Sequence, residues 1–447
     1  MPVLAFIATI CLLLFPAVSP AQGETPAAER AATIGLVMER AIASNLITGG
    51  VVVVGNRDGI IHTAASGQMS RTPGAPSLSD RTIFDLASLT KAVATAPAVM
   101  KLVDEGRISL LDPLSRWFPE FRRSPRANVT IINLLTHTSG LADFDLRRGD
   151  GIKTAIRKAA AARMREPAGK SFNYADINFI LLGELIQRAS GKTLDKFCQE
   201  EIFAPIGATD TMFLPPQGLA AMIAPTIDYS SGVVQDRNAR RLGGVAGHAG
   251  LFGSARDLAL FARLMLGGGT IDGKRIFSER VVSQMTTPYI SGGSVLRGLG
   301  WDITSPYSAP KGAFFSEYSF GHTGYSGTSI WIDPRQDLFV VLLTTRLNYR
   351  DTKVFNQFRS DVSTIAAATF RPSGGLPSVP ATEVAKVTMN LIQATYQPTR
   401  PVRATRTAGT RSRIIQVASA SPEKRSAYMK KSSKKQKRKG YVRSRRA

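Results

Sequence analysis

Segments typical of β-strands lie near both ends of the folded part of this 447-residue chain, and a long, mainly helical stretch separates them. Residues 49–54 and 59–64 predict an antiparallel hairpin, because a turn signal joins two short apolar runs. Strand-like runs return only at residues 329–332 and 338–345. This arrangement predicts an α+β fold, with an antiparallel sheet flanked by helices and an all-helical subdomain at about residues 110–267.

Helical periodicity accompanies the predicted strands at both ends. Residues 27–44 carry an apolar stripe before the hairpin, and residues 351–370 carry one after the last strand. Residues 88–105 predict a further helix that ends at Gly106 and is kinked at Pro97. Because binding sites favour the boundary between two structural units, we expect the site between the sheet unit and the helical subdomain.

The net charge of +24 is concentrated at the C-terminal end. Residues 400–447 contain seventeen Lys or Arg and a single acid, Glu423. The composition changes after Pro372, so we expect residues 372–447 to form a disordered basic tail. The tail either binds an anionic envelope surface or is a solvated segment without a partner. The body is only mildly basic, so nucleic acid is not an expected partner.

The N-terminus has the pattern of an export signal. Residues 3–15 are almost continuously apolar, Pro16 ends the run, and residues 19–21 place small side chains where a signal peptidase cleaves. No Lys or Arg precedes the run, which departs from the usual signal, and an apolar N-terminus that is retained is the alternative. We expect residues 1–21 to be a signal peptide and the mature protein to be periplasmic or secreted.

Three separated segments carry residues that one active site could combine. Ser88 and Lys91 lie one helical turn apart at the start of an apolar helix. Residues 172–176 place Tyr174 in a polar turn before another apolar helix, and residues 321–325 read Gly-His-Thr-Gly-Tyr ahead of a strand-like run. A serine nucleophile needs a nearby base and an oxyanion site, and these segments can supply them. The sequence therefore predicts a serine hydrolase.

The Ser-x-x-Lys spacing alone is weak evidence, since it also occurs at Ser308, Ser421 and Ser432 in loop or tail sequence. Ser88 differs because it heads an apolar helix. The positive end of that helix and burial both oppose an extra proton on Lys91. A neutral amine about 3 Å from Ser88 would then accept the proton of the hydroxyl. An ordinary capped helix start is the structural alternative.

Residues 84–106, with their Ala-Ser-Leu-Thr-Lys core, resemble the first motif of the beta-lactamase-related serine hydrolases. That family includes class C beta-lactamases, DD-carboxypeptidases, D-aminopeptidases and some esterases. Three further segments are similar to the family: residues 108–114, 134–141 and 243–258. The resemblance covers about residues 30–370. It implies that residues 22–371 form one domain with a beta-lactamase/transpeptidase-like fold.

The resemblance also implies a role for each motif residue. Ser88 would be the acylated nucleophile, and Lys91 would be its base or proton relay. Tyr174 would share the proton transfer to the leaving group or from the deacylating water, and the choice of formal base between Lys91 and Tyr174 stays open. The backbone N–H groups of Ser88 and Tyr325 would form the oxyanion hole. A half-buried core tyrosine is the structural alternative for Tyr174.

Two positions depart from the commonest pattern of the family. Asp176 replaces the usual Asn, and an ionised Asp176 beside Lys91 would raise the pKa of the lysine and give more of the proton work to Tyr174. Asp176 also suits the N-cap of the following helix. His322 stands where penicillin-recognising enzymes often carry Lys. A mostly neutral histidine attracts a substrate carboxylate less strongly, which argues against efficient beta-lactam hydrolysis.

The expected substrate-binding residues are Asp176, His322, Thr323 and Gly324 in the motifs, and His248, because a glycine-rich loop can approach a substrate closely. His248 lies in a glycine-rich loop, where a purely structural role is an equal alternative. His137 is expected to be structural and to bond a backbone turn. The four histidines show no metal-ligand spacing and no phosphate-binding glycine motif appears, so we expect no metal and no cofactor.

These observations predict an exported serine hydrolase that forms a Ser88 acyl-enzyme with a cell-wall peptide or a related amide or ester, as a DD-carboxypeptidase or an esterase does. One alternative is a class C-type beta-lactamase. The other is an envelope-binding protein that acts through its basic tail. The expected partners are a small-molecule or peptide substrate and, for residues 400–447, an anionic envelope surface.

Overall fold

The computed structural model describes residues 27–162, 166–290 and 295–370, together with Tyr396. The predicted export signal lies outside these residues, and so does the predicted basic tail apart from Tyr396. Both stay predictions. Within the described ranges, no helix combines the length and the apolar character that a membrane span requires.

Eleven α-helices and thirteen strands make up the regular structure of the described residues. The helices are α1 Ala27–Ala43, α2 Ala96–Asp104, α3 Leu114–Trp117, α4 Ile131–Leu135, α5 Ile152–Ala161, α6 Asp176–Ser190, α7 Leu194–Cys198, α8 Arg237–Arg241, α9 Ala255–Leu266, α10 Glu279–Thr286 and α11 Thr352–Phe370. The strands are β1 Ile47–Gly55, β2 Ile60–Gly67, β3 Ile83–Asp85, β4 Met212–Phe213, β5 Leu251–Ser254, β6 Thr270–Ile271, β7 Lys274–Arg275, β8 Tyr289–Ile290, β9 Leu296–Arg297, β10 Asp302–Thr304, β11 Phe320–Thr323, β12 Ser329–Asp333 and β13 Leu338–Arg346.

One antiparallel sheet joins the two ends of the folded region. Its strand order is β2-β1-β13-β12-β11-β10-β9-β8. The early strand β1 pairs with the late strand β13, from Ile47 opposite Arg346 to Gly55 opposite Phe339. This pairing explains why strand patterns so far apart in sequence belong to one unit, and it confirms the predicted α+β class.

Strand β1, which lies next to the edge strand β2, is buried on both of its faces. Val51 and Val53 pack into the larger core, whereas Val52 and Val54 pack against α1 and α11 in a second core. Since alternate side chains of a strand point to opposite sides of a sheet, β1 reads as a continuous apolar run. The sheet therefore has a hydrophobic layer on each side, as helices on both faces require.

The segment predicted as a helical subdomain is mainly helical and also contains two short strands. β4 and β5 pair with β3 in a three-stranded sheet of order β3-β5-β4. Runs of two and four residues are too short for sequence periodicity to reveal. This small sheet matters for function, because β3 ends three residues before Ser88.

The helix predicted at residues 88–105 forms with a different geometry. A π-helical turn at Lys91–Thr95 precedes α2, and Pro97 lies in the first turn of α2. Pro97 has no N–H to donate to the preceding turn, and that turn is π-helical. The irregularity therefore falls before Pro97, in a π-turn of a kind that is frequent at functional sites. The helix gives way to Gly106 as predicted, at a φ of 69°.

Candidate active site

The turn that carries Ser88 is fixed by side chains on both sides. Ala87 has a φ of 46°, which residues other than glycine rarely adopt. Asp85 at the end of β3 accepts from the backbone N–H of Ala87 at 2.8 Å and from that of Gln235 at 2.7 Å. Thr90 Oγ1 donates to the Ala87 carbonyl at 2.6 Å. These bonds hold the strained residue and present the Ser88 hydroxyl at the strand-to-helix turn.

Lys91 is fully buried, and each of its three ammonium hydrogens has an acceptor nearby. Nζ lies 2.9 Å from Ser88 Oγ, 2.9 Å from the carbonyl of His248 and 2.7 Å from Asp176 Oδ1. Burial alone would lower the pKa of Lys91, but the Asp176 carboxylate and Tyr174 raise it above its ordinary range. Of the two expectations for Lys91, the ion pair with Asp176 at 2.7 Å favours the charged amine over the neutral one.

Tyr174 lies in a turn that His137 organises. His137 Nδ1 accepts from the backbone N–H of Ala175 at 3.2 Å. The backbone carbonyl of His137 accepts from the backbone N–H of Asn173 at 2.9 Å. The rings of His137 and Tyr174 stack with their centroids 4.4 Å apart. This confirms the structural role predicted for His137. It places the Tyr174 ring centroid 5.1 Å from Lys91 Nζ.

Asp176 is the first residue of α6 and does not cap that helix. The backbone N–H of Ile177 donates instead to Asp143 Oδ1 at 2.9 Å, so a carboxylate from another segment satisfies the helix start. Burial would raise the pKa of Asp176, but the charge of Lys91 lowers it below its ordinary value. The N-cap alternative is therefore wrong, and Asp176 acts in the site as the counter-ion of Lys91.

His322 lies in β11 and is buried beside the tyrosine. Its Nδ1 donates to the carbonyl of Thr323 at 2.9 Å, which leaves Nε2 of the neutral ring as an acceptor. Burial, together with the charges of Arg297 and Lys91, holds the pKa of His322 well below its ordinary value. The ring centroids of His322 and Tyr174 are 6.2 Å apart. His322 is therefore neutral, as predicted, and lies in the same site.

Gly324 brings the end of β11 against the turn that carries the nucleophile. A Cβ atom at Gly324 would overlap Thr328 Oγ1 and lie 2.5 Å from the carbonyl oxygen of Leu86. Two hydroxyls fasten the same loop to that turn: Ser326 Oγ donates to the Asp85 carbonyl at 2.6 Å, and Thr328 Oγ1 donates to the Leu86 carbonyl at 3.1 Å. Residues 324–328 are thus locked to the turn before Ser88. We call these residues the oxyanion loop.

The backbone N–H groups predicted to bind the oxyanion are both free of internal bonds. Neither Ser88 N–H nor Tyr325 N–H donates to an acceptor in the part of the chain that the structure describes. Two N–H groups without a protein acceptor, on neighbouring segments that are locked together, are available to bind an oxyanion.

His248 reaches the site through its backbone and not through its ring. The side chain is 1% exposed, and its Nε2 lies 2.8 Å from Asp236 Oδ1. Its carbonyl accepts from Lys91. His248 therefore does not line the cleft as predicted, because the ring is buried against Asp236.

Asp176, Asp236 and His248 offer potential ligand atoms that lie within 4.8 Å of one another. Each of these groups is already engaged, however. Asp176 pairs with Lys91, and Asp236 pairs with His248. An ammonium 2.7 Å from one of these oxygens opposes a divalent cation, so the donor set fits an internal ion-pair network better than a metal centre.

Three buried arginines near the site were not found by sequence reasoning. Arg297 is paired with Asp302 at 2.9 Å and lies over the ring of Phe172 at 5.2 Å. Arg346 and Arg359 contact the oxyanion loop. In a chain with 57 Lys and Arg, nothing local sets these three apart.

Known proteins share sequence and fold with this chain. Residues 37–361 match the family model described as Beta-lactamase. A protein of Escherichia coli (strain K12) that carries the provisional name D-alanyl-D-alanine carboxypeptidase is 32% identical over 302 residues, which cover 59% of this chain and 69% of that protein. The N-acetylmuramyl-L-alanine amidase of Bacillus subtilis (strain 168) is 30% identical over 356 residues, which cover 69% of this chain and 79% of the amidase.

A solved structure shows the same fold. The penicillin-binding protein homologue from Caulobacter crescentus superposes with a TM-score of 0.64 at 22% sequence identity. The superposition covers 78% of this chain and 99% of the homologue.

Proposed function

The chain belongs to the beta-lactamase family of serine hydrolases, and from that premise we propose that it cleaves a cell-wall peptide, or a related amide or ester, through a Ser88 acyl-enzyme. One observation carries the proposal: the buried Lys91, paired with Asp176, lies 2.9 Å from Ser88 Oγ with Tyr174 beside it. The name of the Escherichia coli relative supports a D-alanyl-D-alanine peptide as the substrate.

The charged state of Lys91 determines how the proton of Ser88 can move. An ammonium that donates to Ser88 Oγ cannot also accept the proton of that hydroxyl, so Lys91 stabilises the developing alkoxide. Tyr174 then takes the proton, either as a phenolate or by passing its own proton to the leaving group in the same step. Ser88 attacks the carbonyl carbon, and the resulting oxyanion is held by the N–H groups of Ser88 and Tyr325.

The neutral His322 favours esters and amides without a carboxylate over beta-lactams. An acceptor nitrogen at this position offers no positive charge to the carboxylate that beta-lactams carry, and the same lack applies to the free C-terminal carboxylate of a D-alanyl-D-alanine peptide. A class C-type beta-lactamase is therefore the weaker candidate, and a short-chain esterase is the second candidate that this residue supports.

Labelling tests the nucleophile directly. We expect an alkyl fluorophosphonate or a fluorescent penicillin to label the wild type and not the Ser88→Ala variant. We also expect a panel of D-Ala-D-Ala peptides, D-amino-acid amides, p-nitrophenyl esters and cephalosporins to show faster turnover of a peptide or ester than of the cephalosporin. An unlabelled wild type, or equal labelling of Ser88→Ala, would contradict the proposal.

Replacing Asp176 with asparagine should change the pH dependence of catalysis. Without the carboxylate, burial dominates and the pKa of Lys91 falls. Because the reaction as proposed needs the charged form, the alkaline loss of kcat/KM should begin at a lower pH in the variant than in the wild type. The measurement is kcat/KM for a p-nitrophenyl ester from pH 6 to pH 10. Superimposable alkaline limbs would show that Asp176 does not hold the charge on Lys91.

We propose that the enzyme is exported and that the basic tail holds it at an anionic envelope surface. The excess of sixteen positive charges in residues 400–447 supports this proposal. Removing the residues after Arg400 should leave ester hydrolysis unchanged and abolish co-sedimentation with phosphatidylglycerol vesicles at low salt. Raising the salt should release the full-length protein in the same assay. Equal retention of the two proteins would mean that the tail is a solvated segment.

A further inference from the structure

Two buried arginines beside the oxyanion loop have no acidic partner among the residues that the structure describes. Arg346 ends β13 and is 2% exposed, and Arg359 lies in α11 and is 3% exposed. No described carboxylate lies within ion-pair distance of either guanidinium. Burying an unpaired cation costs several kcal/mol in general, so each must be held by other groups.

Carbonyl oxygens of the oxyanion loop are among the groups that hold these arginines, beside Asn348 and Thr352 for Arg346 and Asn356 for Arg359. Arg359 Nη2 donates to the carbonyl of Gly324 and, at 2.9 Å, to that of Thr328. Arg346 Nη1 donates to the carbonyl of Tyr325 at 3.1 Å. Three carbonyls of a five-residue loop thus accept from two guanidinium groups.

The bond to Gly324 has a direct consequence for the neighbouring N–H. The carbonyl of Gly324 and the N–H of Tyr325 belong to the same peptide unit, and the structure has no cis peptide bond among the described residues. In a trans unit these two groups point in opposite directions. The guanidinium, together with the Gly327 N–H that donates to the same carbonyl at 3.1 Å, therefore fixes the direction of the Tyr325 N–H. A cation on the carbonyl side also polarises the unit and strengthens its N–H as a donor.

We propose that Arg359, assisted by Arg346, is a positioning residue that orients and polarises the Gly324–Tyr325 peptide so that the Tyr325 N–H binds the oxyanion of the acyl-transfer transition state. This inference rests on the proposed function, because it assigns the stabilising charge of that same site. Burial and the charge of Arg346 both lower the pKa of Arg359, as expected of a cation without a counter-ion. The uncompensated charge stabilises an anion formed at the loop.

Arg126 provides a matched control. It is 2% exposed, has no described carboxylate partner within ion-pair distance, and donates to the carbonyl of Ala160 at 3.1 Å. Like Arg359, it leaves its Nε without a partner. The variants Arg359→Met and Arg126→Met therefore remove comparable groups, and only the first touches the oxyanion loop.

The experiment compares these variants with the wild type in two readouts of the oxyanion site. The first is the affinity of a phenylboronic acid, which forms a tetrahedral anionic adduct with a reactive serine. The second is the carbonyl stretch of the acyl-enzyme, measured by isotope-edited infrared spectroscopy with a ¹³C-carbonyl p-nitrophenyl ester. We expect Arg359→Met to weaken boronate binding and kcat about 10- to 100-fold, with KM little changed, and to shift the stretch to higher wavenumber. Arg126→Met should lower the melting temperature and change neither readout.

Arg359→Lys keeps the charge and loses the fork that holds two carbonyls, so it should give intermediate values in both readouts. It also provides the measurement if Arg359→Met does not fold. If Arg359→Lys, or a folded Arg359→Met, kept the boronate affinity and the carbonyl frequency of the wild type, the role of Arg359 would be overturned and the proposed function would stand. A wild type that forms no adduct at Ser88 would overturn the proposed function, and the inference with it.

Discussion

Replacing Lys91 with methionine is expected to lower kcat/KM by about 10³-fold or more. Methionine keeps most of the apolar stem of lysine but donates no hydrogen bond, so Ser88 Oγ and the His248 carbonyl both lose their donor. The variant also leaves Asp176 without its counter-ion next to the nucleophile. A negative charge there opposes formation of the alkoxide. Two effects in the same direction make this one of the largest losses that the site predicts.

Steady-state hydrolysis of a p-nitrophenyl ester checks this prediction. Lys101→Met is the control, because Lys101 lies in the neighbouring helix α2 and donates to the Ile276 carbonyl at 3.0 Å. It should keep wild-type activity. The double variant Lys91→Met/Asp176→Asn should recover part of the loss, since it removes the unpaired carboxylate. Near-normal activity of Lys91→Met would show that the ammonium has no part in the reaction.

The parts of the site that sequence reasoning found are those defined by local pattern. Ser88 and Lys91 were recognisable because one helical turn separates them at the head of an apolar helix, and Tyr174 because a polar turn precedes α6. The α+β class followed from strand-like runs near both ends of the chain with a mainly helical stretch between them, whereas the pairing of β1 with β13 came from the structure.

What the sequence did not reveal depends on packing. The charge of Lys91 could be argued in either direction until the structure placed Asp176 Oδ1 2.7 Å from Nζ. The ring of His248 turned away from the cleft because Asp236, twelve residues earlier, binds it. Arg346 and Arg359 gain their importance from burial against loop carbonyls, and no spacing rule connects them with residues 324–328. Partners that lie far apart in sequence carry no periodic signal.

Adding a single methyl group at Gly324 is expected to have the second large effect. Gly324→Ala places a Cβ against Thr328 Oγ1 and 2.5 Å from the Leu86 carbonyl oxygen. The Leu86 carbonyl belongs to the backbone beside the nucleophile and is fixed there. The loop must move away from the turn, and the Tyr325 N–H moves with it. Loss of one oxyanion donor lowers kcat by roughly 10²- to 10³-fold, so we expect a loss in that range with little change in KM.

The measurement is again ester hydrolysis, with kcat and KM determined separately and the melting temperature recorded for each protein. Gly59→Ala is the matched control, because a Cβ at Gly59 meets no atom within 4 Å and the substitution is otherwise the same. It should behave as the wild type. The expected separation is a kcat that falls by two orders of magnitude in Gly324→Ala, while the enzyme stays folded and its KM is retained. If a folded Gly324→Ala variant kept the wild-type kcat, the close contact between Gly324 and the Leu86 carbonyl would not position the oxyanion hole.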